Sequence, residues 1–513
     1  MNAALRKFGI GLQPEALDTL GVKITRLVTD SRLLRVGDTF VAYPGGQVDG
    51  RNFIEQAIDN GANAVIWEAK NFIWDEGWNV PNLAIENLRS QAGGLANYVY
   101  HTPSEKLWMV GVTGTNGKTT CSHLIARAMN SLGCKSVLMG TLGNGFPGEL
   151  QPTMNTTPEA ISVHGLLANY AQEGAKAAVM EVSSHALAQG RVDGVQYDVA
   201  LLTNLSRDHL DFHGDMDSYS SSKRRLFDWV RLKYAVVNLD DVFGAGLAES
   251  LRDAPVEVIG YGMSEEALHL AERFGIRMVF GKGLHMDEQG MRLHVHSSWG
   301  GEEIRSRMIG RFNAANLLAS LAVLLVSGIE LHAAVRELEL QKAVSGRMQT
   351  LGGKGKPTVV VDYAHTPDAL DKVLQALREV SKAAGGRLIC VFGCGGDRDR
   401  GKRPMMGTVA STLADECVFT SDNPRSESAR AIIDAMLFGV QGNAYQIVED
   451  RAQAIIRAIA TARPVDTILV AGKGHEDYQE VSGVRYPFSD SEVVRRALSI
   501  WDPAALSREW STT

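Results

Sequence analysis

Short apolar runs that end in polar or glycine-rich segments recur along the chain. In its middle third these runs include LWMVGVTG at 107–114, KAAVMEVSS at 176–184, VALLTNLS at 199–206 and YAVVNLD at 234–240. The first is followed directly by an amphipathic helical pattern. Strands that alternate with helices are typical of a parallel sheet flanked by helices. The pattern therefore predicts an α/β fold.

The same pattern divides the chain into three blocks. In the first block, TFVAYPG and NAVIWE predict strands and FIEQAIDNG predicts a helix, before a linker at 101–106. The third block begins near Met348, and its strands each end in a polar or glycine-rich segment: PTVVVDYAH, RLICVFGCGG, ECVFTSDNPR and TILVAGKGHE. Ligands of open α/β sheets bind at the carboxyl ends of strands, so we expect these segments to meet at one crevice. We predict domains at 1–104, 105–346 and 347–513.

Length and charge agree with this division. A chain of 513 residues holds about three domains at roughly 100–200 residues each. Hydrophobic residues make up 45% and charged residues 22%, as in a soluble globular protein. The net charge of -7 argues against a general nucleic-acid surface. The short basic run RDRGKR at 398–403 is more often the lining of an anion site or a solvated loop.

The chain also predicts a reducing, cytoplasmic setting. Its five cysteines are odd in number and lack zinc-finger spacing, so disulfides are not expected. Cys390 and Cys394, beside a glycine-rich turn, are interpreted as small packing residues. The N-terminal segment lacks the apolar run of a signal peptide, and no stretch is long and apolar enough to span a bilayer. We expect a monomer with small-molecule partners, and neither nucleic acid nor membrane among its partners.

The segment GTNGKTT at 114–120 is the strongest single motif. Glycines allow backbone N–H groups to close around phosphate oxygens, and the start of the following helix favours negative charge. Lys118 is suited to neutralise phosphate charge, and Thr119 to offer a hydroxyl to Mg²⁺. The general phosphate-loop pattern has glycine where Val112 stands. The strand before and the helix after favour phosphate binding over a tight turn that binds nothing.

GTNGKTT resembles the ATP loop of the Mur ligases and their folylpolyglutamate synthetase relatives, and the resemblance covers almost the whole chain. It implies a small N-terminal UDP-binding α/β domain, a central parallel-sheet P-loop-type ATPase domain and a C-terminal Rossmann-like α/β domain that binds an amino acid. It implies a ligase that uses ATP and Mg²⁺ to form an amide bond. The ATP-binding residues that it implies in this loop are Gly114, Thr115, Asn116, Gly117, Lys118, Thr119 and Thr120.

Candidate metal ligands follow the next strands. Glu181 ends the strand AAVME, where a carboxylate suits Mg²⁺ or is simply solvated. His209 and His213 are four apart, on one face if they share a helix, but neither a HExxH pattern nor a third ligand supports zinc. From its neighbours alone, Lys223 belongs to a charged helix face.

The resemblance gives these residues joint roles. It implies that Glu181 holds Mg²⁺ together with Thr119, and that His209 is a ligand of a second Mg²⁺. Lys223 matches a lysine that is carbamylated, which converts a cation into an anionic oxygen donor for a hard metal ion. The catalytic residues implied are therefore Lys118, Lys223 and His209.

A second set completes the nucleotide site. Asn313 and Asn316 begin the apolar helix after GRF, where either one is also suited to cap the helix. The resemblance places Asn313 near the adenine. It also implies that Arg347 and Asp362 complete the ATP site when the third domain closes, which expels water. His365 is a candidate general base, although packing at the ATP site is the more ordinary role.

The resemblance also implies a site for a UDP-linked muramoyl dipeptide. By pattern alone these segments are turns, but hydroxyls, amides and a guanidinium suit sugar, phosphate and carboxylate groups. The implied residues are Thr29, Ser31, Gly46, Gln47, Val48, Asn155, Thr156, Thr157, Ser183, Gln189 and Arg191.

The tetrapeptide DNPR at 422–425 indicates which amino acid is added. Alone it is an ordinary turn. A site that prefers meso-diaminopimelate to lysine needs a cation for the second carboxylate, and arginine binds carboxylate bidentately. The resemblance therefore implies addition of meso-2,6-diaminopimelate to the γ-carboxylate of D-Glu in UDP-N-acetylmuramoyl-L-alanyl-D-glutamate, through an acyl phosphate. The residues implied for the amino acid are Arg398, Asp422, Asn423, Pro424, Arg425, Gly472 and Glu476.

Three other functions fit the sequence less well. A lysine-adding ligase of the same fold has no need of Arg398 and Arg425. A folylpolyglutamate-type ligase lacks the uridine-type first block and the DNPR segment. A nucleotide-dependent switch protein leaves Glu181, His209 and Lys223 without a joint purpose.

Overall fold

The computed structural model describes residues 14–46, 48–287 and 290–502, and it contains three α/β sheets that follow one another along the chain. The first sheet has four parallel strands, in the spatial order Leu27–Val28, Thr39–Ala42, Ala64–Glu68 and Asn82–Ile85. Its helices are Ile54–Asp59 and Leu88–Val99, with 3-10 turns at Pro14–Leu20, Ser31–Leu33, Gly50–Phe53 and Pro103–Lys106. The last turn lies in the predicted linker.

The second sheet has ten strands. Their spatial order is Gly300–Ser306, Gly290–Ser297, Arg277–Asp287, Glu257–Gly262, Tyr234–Asn238, Val199–Leu202, Trp108–Thr113, Ala177–Glu181, Ser136–Gly140 and Gly143–Gly145. The strands from Arg277–Asp287 to Ser136–Gly140 are parallel, and the strands beyond them at both edges are antiparallel. The helices of this region are Lys118–Ser131, Ala160–Gln172, Ser184–Ala188, Leu210–His213, Met216–Arg224, Val242–Ser250, Glu265–Phe274, Arg311–Val326 and Leu331–Leu340, with a 3-10 turn at Arg225–Asp228. The predicted central parallel sheet is confirmed.

The third sheet has six strands. Their order is Gln349–Gly352, Thr358–Asp362, Thr467–Ala471, Leu388–Phe392, Glu416–Phe419 and Tyr445–Ile447, and all but the first are parallel. Its helices are Pro367–Ala383, Lys402–Leu413, Ala429–Leu437, Arg451–Ala460 and Asp490–Ile500. A hairpin of Tyr478–Val481 and Val484–Pro487 stands apart from the sheet.

Apolar side chains fill both faces of each sheet. Along Leu388–Phe392, for example, Cys390 and Phe392 join one apolar cluster while Ile389 and Val391 join the other. Successive side chains of a strand point to opposite faces, so strands buried on both sides read as unbroken apolar runs. This is why the sequence pattern located them.

Two smaller predictions concern the cysteines and the membrane. Cys390 and Cys394 are free and buried in the core, which confirms their interpretation as packing residues. No helix within the described ranges has the length and apolar character needed to cross a membrane. The predicted domain boundaries at 104/105 and 346/347 fall between the sheets and stay predictions.

Candidate functional site

The segment GTNGKTT joins the central strand Trp108–Thr113 to the helix Lys118–Ser131, as predicted. Gly117 immediately precedes the helix with φ +88, a conformation that favours glycine. A Cβ atom at Gly117 would lie 2.5 Å from Asn316 Oδ1. The chain can therefore make this turn, with free N–H groups at the start of the helix, only because residue 117 has no side chain.

Lys118 lies beside the loop. Its Nζ donates to the backbone oxygens of Gly114 and Thr115, at 2.9 Å each. Burial lowers the pKa of Lys118. A phosphate in the loop would restore a partner of opposite charge to this amine, which is what an anion site requires.

Oxygen donors gather next to the loop. Thr119 Oγ1 donates to Glu181 Oε2 at 2.9 Å, and Thr141 contacts both carboxylate oxygens of Glu181. A hydroxyl and a buried carboxylate are ligands that Mg²⁺ prefers, with phosphate oxygens as the usual remainder. In the described part of the chain, His, Cys, Asp and Glu side chains form no metal-binding group of three or more. The Thr119 hydroxyl and the Glu181 carboxylate fit a metal ion whose remaining ligands come from a nucleotide, because both are oxygen donors beside the phosphate loop.

Lys223 is almost completely buried. Its Nζ donates to Gly114 O at 2.8 Å and lies 4.5 Å from the centre of the Tyr219 ring, and it forms no ion pair with a described residue. Burial, with Lys118 nearby, holds the pKa of Lys223 well below its usual range. The interpretation of Lys223 from its neighbours alone, as part of a charged helix face, is wrong, because the helix turns this side chain towards the phosphate loop.

His209 precedes a helix rather than lying in one. It has φ +54 and occupies the N-cap position of the short helix Leu210–His213 without a side-chain capping bond, so His209 and His213 do not share a helix face as the spacing suggested. Burial lowers the pKa of His209 to about 3, so the imidazole is neutral at neutral pH. A neutral imidazole is the form that can bind a metal ion.

Asp208 is a site residue that the sequence reasoning missed. Its Oδ2 lies 3.2 Å from His209 Nε2 and 3.6 Å from His365 Nε2, and its Oδ1 lies 3.9 Å from Lys402 Nζ. Burial alone would raise the pKa of Asp208, but the close approach of the His365 and His209 imidazoles and of the Lys402 amine holds it well below its usual range. An acid directly before His209, in a loop after a strand, was the available signal.

A first cavity of about 570 Å³ opens beside the phosphate loop. Asn313, Arg347 and Asp362 line it, together with every predicted loop residue except Gly114. Arg347 reaches from the third block to donate to Thr119 Oγ1 at 3.2 Å. Helix capping by Asn313 is wrong, because Gly310 holds the cap position and Asn313 Nδ2 donates to Ile309 O within the first turn.

A second cavity of about 770 Å³ adjoins the first. It is lined by residues predicted for the muramoyl dipeptide and for the amino acid: Asn155, Thr156, Ser183, Arg191, Arg398, Asp422, Asn423, Arg425, Gly472 and Glu476. Both cavities share Lys118, Thr141, Thr156, Asp208, His209, Tyr363 and His365. Residues that follow each of the four predicted third-block strands line this cavity, so these segments meet at one crevice, as predicted. Residues that follow strands of the second sheet, such as Ser183 and Asp208, line it too.

The far end of the second cavity carries both signs of charge. Arg425 Nη1 donates to Gly396 O at 2.7 Å, and neither Arg398 nor Arg425 forms an ion pair with any residue whose position is described. Glu476 Oε2 accepts from Asn423 Nδ2 at 2.8 Å and from the fully buried Lys473 Nζ at 3.0 Å. Lys473 is a second residue that the sequence reasoning missed.

Other predicted residues lie outside the cavities. Of the N-terminal set, Gln47 lies outside the described residues, and Thr29, Ser31, Gly46 and Val48 line neither cavity. Ser31 Oγ donates instead to Gln56 Oε1 at 2.7 Å. Thr157, Gln189 and Pro424 also line neither cavity, although Thr157 and Gln189 each bond to Arg191. Their roles stay predictions.

The fold and the joined cavities define a three-part α/β enzyme that brings a nucleotide phosphate loop against a charged substrate cleft. Family descriptions match each part: "Mur ligase family, catalytic domain" at 23–100, "Mur ligase middle domain" at 112–324 and "Mur ligase, glutamate ligase domain" at 346–474. The chain belongs to the Mur ligase family, and it is an ATP-dependent ligase that forms amide bonds.

Individual relatives carry a more specific name. Proteins of Chromobacterium violaceum and Pseudomonas aeruginosa are named UDP-N-acetylmuramoyl-L-alanyl-D-glutamate--2,6-diaminopimelate ligase. They are 49% and 46% identical over 95% and 93% of this chain, and over 97% and 96% of their own lengths. A solved structure of the same title is 36% identical with a TM-score of 0.64, covering 93% of this chain and 95% of that one. MurF ligase from Thermotoga maritima in complex with ADP, 19% identical with a TM-score of 0.63 over 96% and 99% of the chains, shares the fold.

Proposed function

We propose that this ligase adds meso-2,6-diaminopimelate to the γ-carboxylate of D-Glu in UDP-N-acetylmuramoyl-L-alanyl-D-glutamate, a step of peptidoglycan precursor synthesis. The observation that carries the proposal is the pair Arg398 and Arg425, which line the second cavity without an ion-pair partner among the described residues. A lysine substrate has no second carboxylate, so two such guanidinium groups favour diaminopimelate. The names of the relatives support the same substrate.

The first step joins phosphate to the substrate carboxylate. A γ-carboxylate oxygen of D-Glu attacks the γ-phosphorus of ATP, the bond from that phosphorus to the β,γ-bridging oxygen breaks, and ADP leaves. Lys118, which lines both cavities, is placed to offset the repulsion between carboxylate and triphosphate. Arg347, from the third domain, adds a second positive charge to the first cavity. Catalysis here is positioning and electrostatic stabilisation.

The second step forms the amide bond. A neutral amine of diaminopimelate attacks the acyl carbon, loses a proton, and phosphate leaves with its bonding electron pair. Glu476, held by Asn423 and Lys473, has its Oε1 available for the other ammonium group. His365 and Asp208 lie where the two cavities meet, and a general-base role for His365 stays a prediction.

Mg²⁺ would be held by Thr119 and Glu181 in one position and by His209 in a second, and it would supply positive charge for the phosphate oxygens. We also propose that Lys223 becomes carbamylated and completes the second position. Its amine is buried without a carboxylate partner among the residues described, and a neutral amine adds CO₂ to give a carbamate and a proton. The UDP group is assigned to the N-terminal domain, and the enzyme to the cytoplasm as a monomer.

The testing experiment measures phosphate release with ATP, Mg²⁺ and the UDP-linked dipeptide, comparing meso-diaminopimelate with L-lysine. We expect release with diaminopimelate and little with lysine. Arg425→Met should raise the KM for diaminopimelate roughly 10- to 100-fold, since it removes a charged hydrogen-bonding partner. Arg430→Met, which removes an exposed arginine paired with Asp434 nearby, is the matched control and should leave KM unchanged.

Two results would contradict the proposal in different ways. A preference for L-lysine would keep the ligase chemistry but overturn the role of Arg425. Phosphate release that depends on neither amino acid would exclude the ligation altogether.

A further inference from the structure

A fully buried ion pair lies beneath the amino-acid end of the second cavity. Arg451 and Asp490 are each the first residue of a helix, Arg451–Ala460 and Asp490–Ile500, and both side chains are 0% exposed. Two hydrogen bonds of 2.8 Å join them, from Nε to Oδ1 and from Nη2 to Oδ2. The fork of the guanidinium is thereby fixed in one orientation.

The remaining hydrogens of the same guanidinium hold two loops of the cavity. Nη1 donates to Ser421 O at 3.3 Å, and Nη2 donates to Ala471 O at 2.9 Å. Ser421 directly precedes Asp422, and Ala471 directly precedes Gly472. One side chain therefore ties together the starts of both loops that carry the predicted amino-acid ligands.

The first of these loops is also bonded to the hairpin strand Tyr478–Val481. Gln479 Nε2 donates to Asp422 O at 2.7 Å and to Ser421 Oγ at 2.8 Å, and Arg425 N donates to Glu480 O at 3.0 Å. The loop 421–425 is thus hydrogen-bonded both to the hairpin and to the buried arginine. Its position depends on both.

Stability alone gives little reason for this pair. Burying two charges costs about as much as their attraction returns, and apolar residues of similar volume often serve as well. A cation at the first position of a helix also opposes the helix dipole. The position of Arg451 is explained better by the two carbonyl oxygens that it reaches.

We infer that the Arg451–Asp490 pair is a positioning device that fixes the distance between the loops 421–425 and 472–476, and so sets the affinity of the enzyme for its amino-acid substrate. The inference about affinity rests on the proposed function. The inference about loop position does not, because it concerns contacts within the protein.

The test compares Arg451→Met with Arg387→Met in the full-length protein. Arg387 bonds to the buried Asp466 at the opposite end of the same sheet, and Asp466 also pairs with Arg463, so Arg387→Met controls for removal of an arginine that contacts a buried carboxylate away from the two loops. Hydrogen–deuterium exchange should rise in 421–426 and 472–477 for Arg451→Met, with residues 114–120 unchanged. KM for diaminopimelate should rise about tenfold while KM for ATP changes less than about twofold. Arg387→Met should change neither the hydrogen exchange of the two loops nor the KM for diaminopimelate.

Each outcome is decisive. Unchanged exchange in both loops would overturn the inference, whatever the substrate proves to be. Faster hydrogen exchange without a selective rise in the KM for diaminopimelate would overturn the inference about affinity. A wild-type enzyme whose phosphate release does not depend on diaminopimelate would overturn the proposed function instead. If Arg451→Met does not fold, Arg451→Lys keeps the charge but loses the fork, and the same two loops should exchange faster.

Discussion

At the scale of single residues, burial decides the chemistry of Lys223. The sequence places it between other polar residues, yet its amine lies against Gly114 O and the Tyr219 ring. A buried lysine without a carboxylate is costly as a cation, so its neutral form is favoured. That form reacts with CO₂, which is the physical basis for the proposed carbamate.

The carbamate prediction concerns Lys223→Arg, since a guanidinium does not form this carbamate. We expect wild-type protein equilibrated with ¹³C-bicarbonate to show a carbamate carbon signal that the variant lacks. Ligase activity should fall at least about 100-fold in the variant, as when a charge-stabilising group is removed. Arg224→Met, which removes a more exposed neighbour, should retain both signal and activity. Absence of the signal from wild-type protein would refute carbamylation.

At the scale of elements, the strand–loop–helix unit around GTNGKTT presents the phosphate site. The helix Lys118–Ser131 starts at the loop, and Asn316 from the helix Arg311–Val326 packs against it. The loop is therefore fitted between its own helix and a neighbour that comes much later in the chain. The shape of the phosphate loop therefore depends on the positions of both helices.

Gly117→Ala should weaken ATP binding at least about tenfold, because a side chain would force the loop and Asn316 apart. Gly133→Ala is the matched control. Gly133 has a similar φ of +85, but its Cβ would meet nothing within 4 Å. Both variants carry the strain of a left-handed alanine, about 1–2 kcal/mol. Titration calorimetry measures the affinity of each variant for ATP. Equal affinities of the two variants would contradict the close packing of Gly117 against Asn316.

At the scale of the whole molecule, the second and third domains are in contact across the cavities. Asn116 Nδ2 donates to Asp368 at 3.0 Å, and Arg207 Nε lies 3.1 Å from Asp399. Residues of both domains, among them Lys118 and His365, line both cavities where the two cavities adjoin. Opening and closing during the catalytic cycle stays a prediction.

Acid should weaken the folded state through buried histidines. Burial lowers the pKa of His123 to about 3 and, with a smaller opposing effect of Asp193 O, that of His164 to about 4. A histidine in the unfolded chain has a pKa of about 6.5. Below that pH the unfolded chain therefore binds protons that the folded chain does not. Folding free energy is therefore lost as pH falls from about 6.5 towards 4, by up to ~1.4 kcal/mol per pH unit for each histidine.

His164→Gln keeps a donor for Asp193 O but removes the titration. We expect its unfolding temperature to fall less than that of wild type between about pH 7.5 and about pH 5.5. His269→Gln, an exposed histidine on the helix Glu265–Phe274, should behave as wild type. An equal fall in all three proteins would show that His164 does not contribute.

The sequence by itself determined the strands, the phosphate loop and most residues at the strand ends. These features are local, because buried strands are continuous apolar runs and a left-handed turn needs glycine. Their convergence on one cleft followed from the rule that ligands bind where parallel strands end.

Only the tertiary structure decided which distant residues support them. Asp208 meets Lys402, and Arg451 meets Ser421 and Ala471, across separations that no local pattern encodes. The protonation of Lys223 is likewise decided by tertiary structure, because chain segments packed around its amine exclude water from it. The sequence determines the type of each side chain, whereas tertiary packing determines its contact partners and its exposure to solvent.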